Sequence, residues 1–127
     1  MHTFKKEERL CNKRFIDGLF HSGSSFLCYP FRVSWQLAPA EQAYPVQVLF
    51  SVGKKRYKRA VDRNLLKRLM REAYRLNKQT LLYQQLTGAD KRILLSIGYI
   101  GKELADYAFI EKKMQKLLNQ LAGEATK

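Results

Sequence analysis

Two cysteines in 127 residues, Cys11 and Cys28, are too few and too irregularly placed for a disulfide framework, and neither belongs to a CxxC pair. With His2 and His21 they would formally make four zinc ligands, but the spacings match no usual zinc pattern, so free, partly buried thiols are expected. Acid is scarce as well. The eleven carboxylates are scattered along the chain with no recognisable acidic metal motif, and the two histidines fall in no catalytic pattern, which argues against a self-sufficient protein nuclease. Glu7 and Glu8 read as solvated or helix-start charges. No uninterrupted apolar run approaches the ~20 residues needed to span a bilayer. The N-terminus, MHTFKKEERLCNKRF, carries charge where a signal peptide needs its apolar segment, so a cytoplasmic location is expected. Repeats and low-complexity blocks are lacking. A single domain over residues 1–127 is expected, with flexible ends at about 1–5 and 123–127.

What the chain has in excess is positive charge: 24 lysines and arginines against those 11 acids, a formal net charge of +13. The excess is local. Residues Lys54 to Lys78 hold eleven cations and two anions, Asp62 and Glu72, a net +9, so the other 102 residues carry only +4. Like charges so close together weaken a helix by a few tenths of a kcal/mol per pair. A field focused in this way suits a polyanion, nucleic acid above all.

Periodicity places this segment among other elements. Apolar residues Leu10, Ile16, Leu19 and Phe20 predict a first amphipathic helix from Lys6 to Phe20, stopped by HSG at 21–23. Alternation in FRVSWQL puts Phe31, Val33, Trp35 and Leu37 on one strand face and Arg32, Ser34 and Gln36 on the other, with Pro30 at the entry. VQVLFSVG predicts a second strand ended by Gly53, and the short connection between the two predicts antiparallel pairing. After the basic helix, NKQTLLYQQLTGAD extends or caps it before Gly88. Ile93 to Ile100 reads as a strand buried on both faces. A last amphipathic helix carries Leu104, Tyr107, Ile110, Met114, Leu117, Leu118 and Leu121 and ends at Gly123. The order helix, strands, helix, strand, helix predicts one mixed sheet covered on one face by helices.

On a helical projection from Asp62, Leu65, Leu66, Leu69, Met70, Ala73 and Leu76 share one arc. Arg63, Asn64, Lys67, Arg68, Arg71, Arg75 and Lys78 fill the opposite one, at about 100–240°. Leucines face the sheet and the cations face outward. Guanidinium groups offer forked donors for phosphate oxygens and stack on exposed bases, so arginine in this stripe points to RNA. Ahead of the helix, Lys54, Lys55, Arg56 and Arg59 lie in GKKRYKR near the helix N-terminus, where free amides add to anion binding. The GxxxxGKS/T pattern is missing, so contact with backbone phosphates is expected in place of ATP binding. No helix-turn-helix pair or zipper favours DNA. A ribosomal-protein-like RNA chaperone would use the same surface.

The stretch FSVGKKRYKRAVDRNLLKRLMREAYR resembles the signature region of the bacterial ribonuclease P protein subunit family, in which a strand and Lys-Lys lead into an A-V-x-R-N-R-x-K-R-x-x-R helix. Ala60, Val61, Arg63, Asn64, Lys67, Arg68 and Arg71 match, and Leu65 departs from the third position of the Arg-Asn-Arg triplet. KKEERL, the helix ending FHSG, the alternating strand and the final helix recur in similar order. The resemblance implies an α+β fold, a two-layer αβ sandwich like the second domain of a small-subunit ribosomal protein. Its mixed four-stranded sheet would follow the order α-β-β-β-α-β-α, with one more strand before the basic helix and a left-handed crossover. It implies ribonuclease P RNA and precursor tRNA as partners, with no membrane and no protein partner required. Bond cleavage would belong to the RNA, with Mg²⁺ in the RNA-containing holoenzyme and no cofactor held by the protein alone. It also implies a cleft for the single-stranded 5′ leader between the first helix and the sheet, involving Ile16, Phe20, Phe31, Arg32 and Ser34. Ile16 stands where the family has an aromatic.

Overall fold

The computed structural model describes residues 3–39 and 42–127; His2, named above, lies outside them. Among the described residues four strands form one sheet in the order β1-β2-β4-β3, where β1 is Ser24–Cys28, β2 Phe31–Leu37, β3 Val46–Val52 and β4 Ile93–Tyr99. β1 and β2 are an antiparallel hairpin, β2 runs antiparallel to β4, and β3 runs parallel to β4. The antiparallel pairing predicted for β2 with β3 does not occur. β4 lies between them, because its residues from Ile93 to Ile97 are buried on both faces and belong at the centre of the sheet. β1 is the extra strand implied by the family. Its residues SSFLC do not alternate in polarity, and it is legible only as the partner of β2.

Helix α2 (Ala60–Lys78) and helix α4 (Tyr107–Ala125) cover one face. There Leu66, Met70, Ala73, Ile110, Met114, Leu117, Leu118 and Leu121 pack on Phe31, Val33, Val46, Val48, Leu95 and Ile97. Truncating any of the larger of these to alanine costs about 2–5 kcal/mol. α2 bends through a π-helical turn, Gln79–Tyr83, into the short α3, Gln84–Gly88. α4 starts at Asp106, whose side chain accepts from the Phe109 amide at 2.9 Å, so Leu104 precedes the helix and is exposed. The helix passes through Gly123, and Ala125 is buried against the core. Phe4 packs edge-on against Phe50 and Tyr74.

On the other sheet face lies, among the described residues, a single α-helix, α1, Lys13–Ser22. Its Leu19 meets Leu10 and Leu94 in a small second cluster, with Ile16 against it. The predicted helix from Lys6 is interrupted. Lys6–Glu8 is a 3₁₀ turn, and Arg9 then pairs with Val48, the Leu10 amide donating to the Val48 carbonyl at 2.9 Å. Drawing Leu10 into the cluster is worth more than continuing a helix across it. α1 restarts at Asn12, whose Oδ1 accepts from the amides of Arg14 and Phe15 at 3.0 and 3.3 Å. Asn12→Ala is expected to cost about 1 kcal/mol in a denaturant titration, since two first-turn donors lose their partner.

Candidate nucleic-acid interface

α2 is set into the molecule by Leu66, Met70, Ala73 and Tyr74, all fully buried. Tyr74 belongs to this inward face, wedged against Phe4 and Phe50, and so does Lys78, whose ammonium is buried and paired with the Glu8 carboxylate. The inward arc therefore reaches further round than the leucines alone predicted, and it takes one cation with it. Glu8 accepts from Lys78, from the Tyr83 hydroxyl at 2.5 Å and from the Lys5 amide at 2.8 Å. Burial pushes its carboxyl pKa up, but these three donors outweigh that and hold it below the usual carboxylate range. Glu8 is thus a core ion-pair partner, not a solvated charge.

The remaining cations divide by environment. Asn64, Arg68 and Arg71 are exposed on the outer face of α2, and Lys67 is half-buried at its margin. Arg75 forms a two-point pair with Glu72, at 2.5 and 3.0 Å, so part of its charge is answered within the helix. Arg63 turns back, and its Nη1 donates to the carbonyls of Tyr57 and Lys58 at 2.7 and 2.8 Å. That bond shapes the basic loop and leaves less of the guanidinium for a partner. Leu65, the departure from the family triplet, is half-buried.

Lys54, Lys55, Arg56 and Arg59 are exposed in the loop between β3 and α2. Tyr57 holds this loop. It is buried among cations, its ring packs near Tyr99 with centroids 6.0 Å apart, and its hydroxyl donates to the Gly101 carbonyl at 2.7 Å. Arg56 donates to the neighbouring Ile100 carbonyl. Tyr57 is the one apolar-bodied side chain in GKKRYKR, which is the signal in the sequence for its anchoring role. A rigid loop presents its charges without the ordering cost that a free one would add.

A cleft of about 430 Å³ crosses the sheet face that α1 leaves open. Register builds its floor: Ser25 sits beside Ser34 and Ser34 beside Ser96, while Arg32 sits beside Gly98 and Gly98 beside Ser51. The floor is therefore low and rich in hydroxyls. Gly98 is required for that depth, since a Cβ there would stand 3.1 Å from Ser51 Oγ. Phe20, 60% exposed, overhangs one end, and Gly53 and Ile100 border the other, where the basic loop begins. Of the five residues expected in a leader cleft, Phe20, Arg32 and Ser34 line it. Phe31 does not: it is fully buried on the opposite face against Tyr99, as strand alternation requires. Ile16 packs half-buried on the Leu10–Leu19–Leu94 cluster and is not among the lining residues. Ser25, Ser51, Ser96 and Gly98 were missed, because only the pairing register shows that they share a floor.

A sequence model of the Ribonuclease P family matches residues 4–122. The ribonuclease P protein component of Porphyromonas gingivalis is 42% identical over 120 residues, spanning 93% of this chain and 85% of that one. The component from Chlorobium phaeobacteroides is 32% identical over 130 residues, spanning 95% and 89%. Among solved structures, the RNase P protein from Thermotoga maritima superposes with a TM-score of 0.70 at 25% identity, covering 89% of this chain and 96% of that one. The Staphylococcus aureus RNase P protein, at 19% identity, TM-score 0.68 and coverage of 94% and 98%, is a likeness of fold. With the family model spanning nearly the whole chain and relatives above 30% identity over most of their length, this protein belongs to the ribonuclease P protein component family.

Proposed function

We propose that the chain is the protein subunit of a ribonucleoprotein endoribonuclease of the cytoplasm that removes 5′ leaders from precursor tRNA, binding the catalytic RNA on α2 and its basic loop and the leader in the cleft. One observation carries this reading: exposed cations stand both on α2 and in the loop before it, and that loop begins at Gly53 on the rim of a separate, hydroxyl-floored cleft, so one small surface offers sites to two RNA elements at once. Flexible single strands suit the cleft, where Phe20 offers a stacking face, Arg32 a guanidinium and the serines donors and acceptors for base edges and 2′-hydroxyls. Folded RNA suits the rigid convex helix, which offers phosphates an array of arginines.

The residues of this chain bind and orient. No cluster of three or more His, Cys, Asp and Glu side chains able to hold a metal ion occurs among the described residues, and bond cleavage is assigned to the RNA with its Mg²⁺. By neutralising about five phosphates the basic surface lowers repulsion between catalytic RNA and substrate, with an expected log-log salt slope of roughly −3.5 to −4.5. The test is reconstitution with a bacterial ribonuclease P RNA at low Mg²⁺. Cleavage of precursor tRNA should be stimulated only when that RNA is present; cleavage by the protein alone, or RNA annealing without stimulation, would overturn the reading. Arg68→Ala is expected to weaken association with the catalytic RNA on the order of tenfold at moderate salt and to leave the cleavage site unchanged. Filter binding across a salt series and mapping of the product 5′ end measure both.

A further inference from the structure

We infer that the groove between the N-terminal segment and the outer edge of β3 is a second seat for the catalytic RNA, in which Arg9 joins Lys67 and Arg71 in holding phosphate. The inference rests on the reading of α2 as an RNA-binding face and extends it to a part of the chain outside the signature region. The groove holds about 260 Å³ and shares no lining residue with the leader cleft. Its rim carries Arg9, Lys67 and Arg71, and among the described residues lining it none is acidic. None of the three is in an ion pair with an acid among the described residues. Phe4, Leu49 and Phe50, each half-buried, give it an apolar floor.

Arg9 is placed there by the fold. Its backbone pairs with Val48, the next amide bonds to Val48, and its guanidinium stands 5.6 Å from the centroid of the Phe4 ring. A half-neutral apolar floor under a cationic rim fits an unpaired nucleotide, with its base on the floor and its phosphates on the rim. Catalytic RNA is the occupant that continuity favours. Lys67 and Arg71 lie within about 60° of Asn64 and 100° of Arg68 on the same helix surface, so an RNA on that surface reaches the groove directly. An acidic peptide would have to share the helix with it.

Cys11 supplies the test, being exposed and lining the groove while Cys28 is buried. The whole protein is labelled at Cys11 with a thiol-directed photo-cross-linker and assembled with catalytic RNA, with and without precursor tRNA. Cross-linking to the catalytic RNA in equal yield in both assemblies is expected. Cross-linking to the leader only, to no RNA, or protection of Cys11 by polyglutamate but not by the RNA, would overturn the inference. In parallel, Arg9→Gln should weaken binding to the catalytic RNA on the order of tenfold and flatten the salt slope by about one, while Arg9→Lys keeps the slope. Thermal unfolding of both variants shows whether the fold is intact. Wild-type affinity and slope for Arg9→Gln, beside a weakened Arg68→Ala, would remove this seat and leave the α2 reading standing; silence in both variants would remove both.

Discussion

Lys78→Met is expected to destabilise the protein by about 3–5 kcal/mol at neutral pH, more than any single change on its surface. The substitution nearly keeps the side-chain volume, so the loss is electrostatic. Glu8 and Lys78 are 2% and 4% exposed, and the ammonium also stands 5.1–6.0 Å from the ring centroids of Phe4, Tyr74 and Tyr83. Without it the buried Glu8 carboxylate keeps its Lys5 and Tyr83 donors but has no countercharge. Urea titration measures the effect, and the double variant Glu8→Leu/Lys78→Met should recover most of it, because replacing a buried pair by apolar groups is often near neutral.

The same pair sets a pH dependence whose sign is fixed. In the native protein the Glu8 carboxyl is held below its ordinary value, so its contribution to stability is present above the unfolded carboxylate range and is lost as pH falls through the lowered native value. With Lys78 removed, its hydrogen bond and its charge no longer pull the carboxyl down while burial still pushes it up, so the folded-state value rises relative to that of the intact protein. Lys78→Met should therefore lose less stability than the native protein as pH falls from 7 through the carboxylate range. A variant whose urea midpoint follows the native profile over that range would refute the assignment.

Gly98→Leu is expected to abolish the leader's contribution to substrate binding without weakening the grip on the catalytic RNA. The residue sits mid-floor between Arg32 and Ser51 with its substituent directed into the open cleft, so the added side chain fills space that the substrate needs and leaves the core face alone. Losing one stacked base, at roughly 1–3 kcal/mol, corresponds to about 5- to 150-fold weaker binding. Precursor tRNA would then bind the reconstituted enzyme about as weakly as a substrate with no leader. Gly98→Ala adds only the Cβ near Ser51 Oγ and should fall between the two. Equal affinities for leader-bearing precursor in Gly98→Leu and the native protein would show that the leader lies elsewhere.

Much of this architecture is written locally. The 3.6-residue stripe of α2, the alternation of β2 and β3 and the apolar run of β4 each follow from a few neighbouring residues, and the structure places all four elements within two residues of the expected ranges. The outward cations Arg68 and Arg71 and the basic loop were legible for the same reason, since charge within one segment needs no partner to be counted. The family signature lay in the same stretch.

What the chain alone determined, then, is the type of each main element and the sign of its outer face, because backbone periodicity and side-chain charge are properties of short segments. Tertiary structure decided which segments became neighbours. Glu8 met Lys78 across seventy residues, β4 entered between β2 and β3, Phe31 went inward, and serines from four strands met in one floor. Each of these depends on pairing register and on burial between distant segments, and no local pattern carries that information.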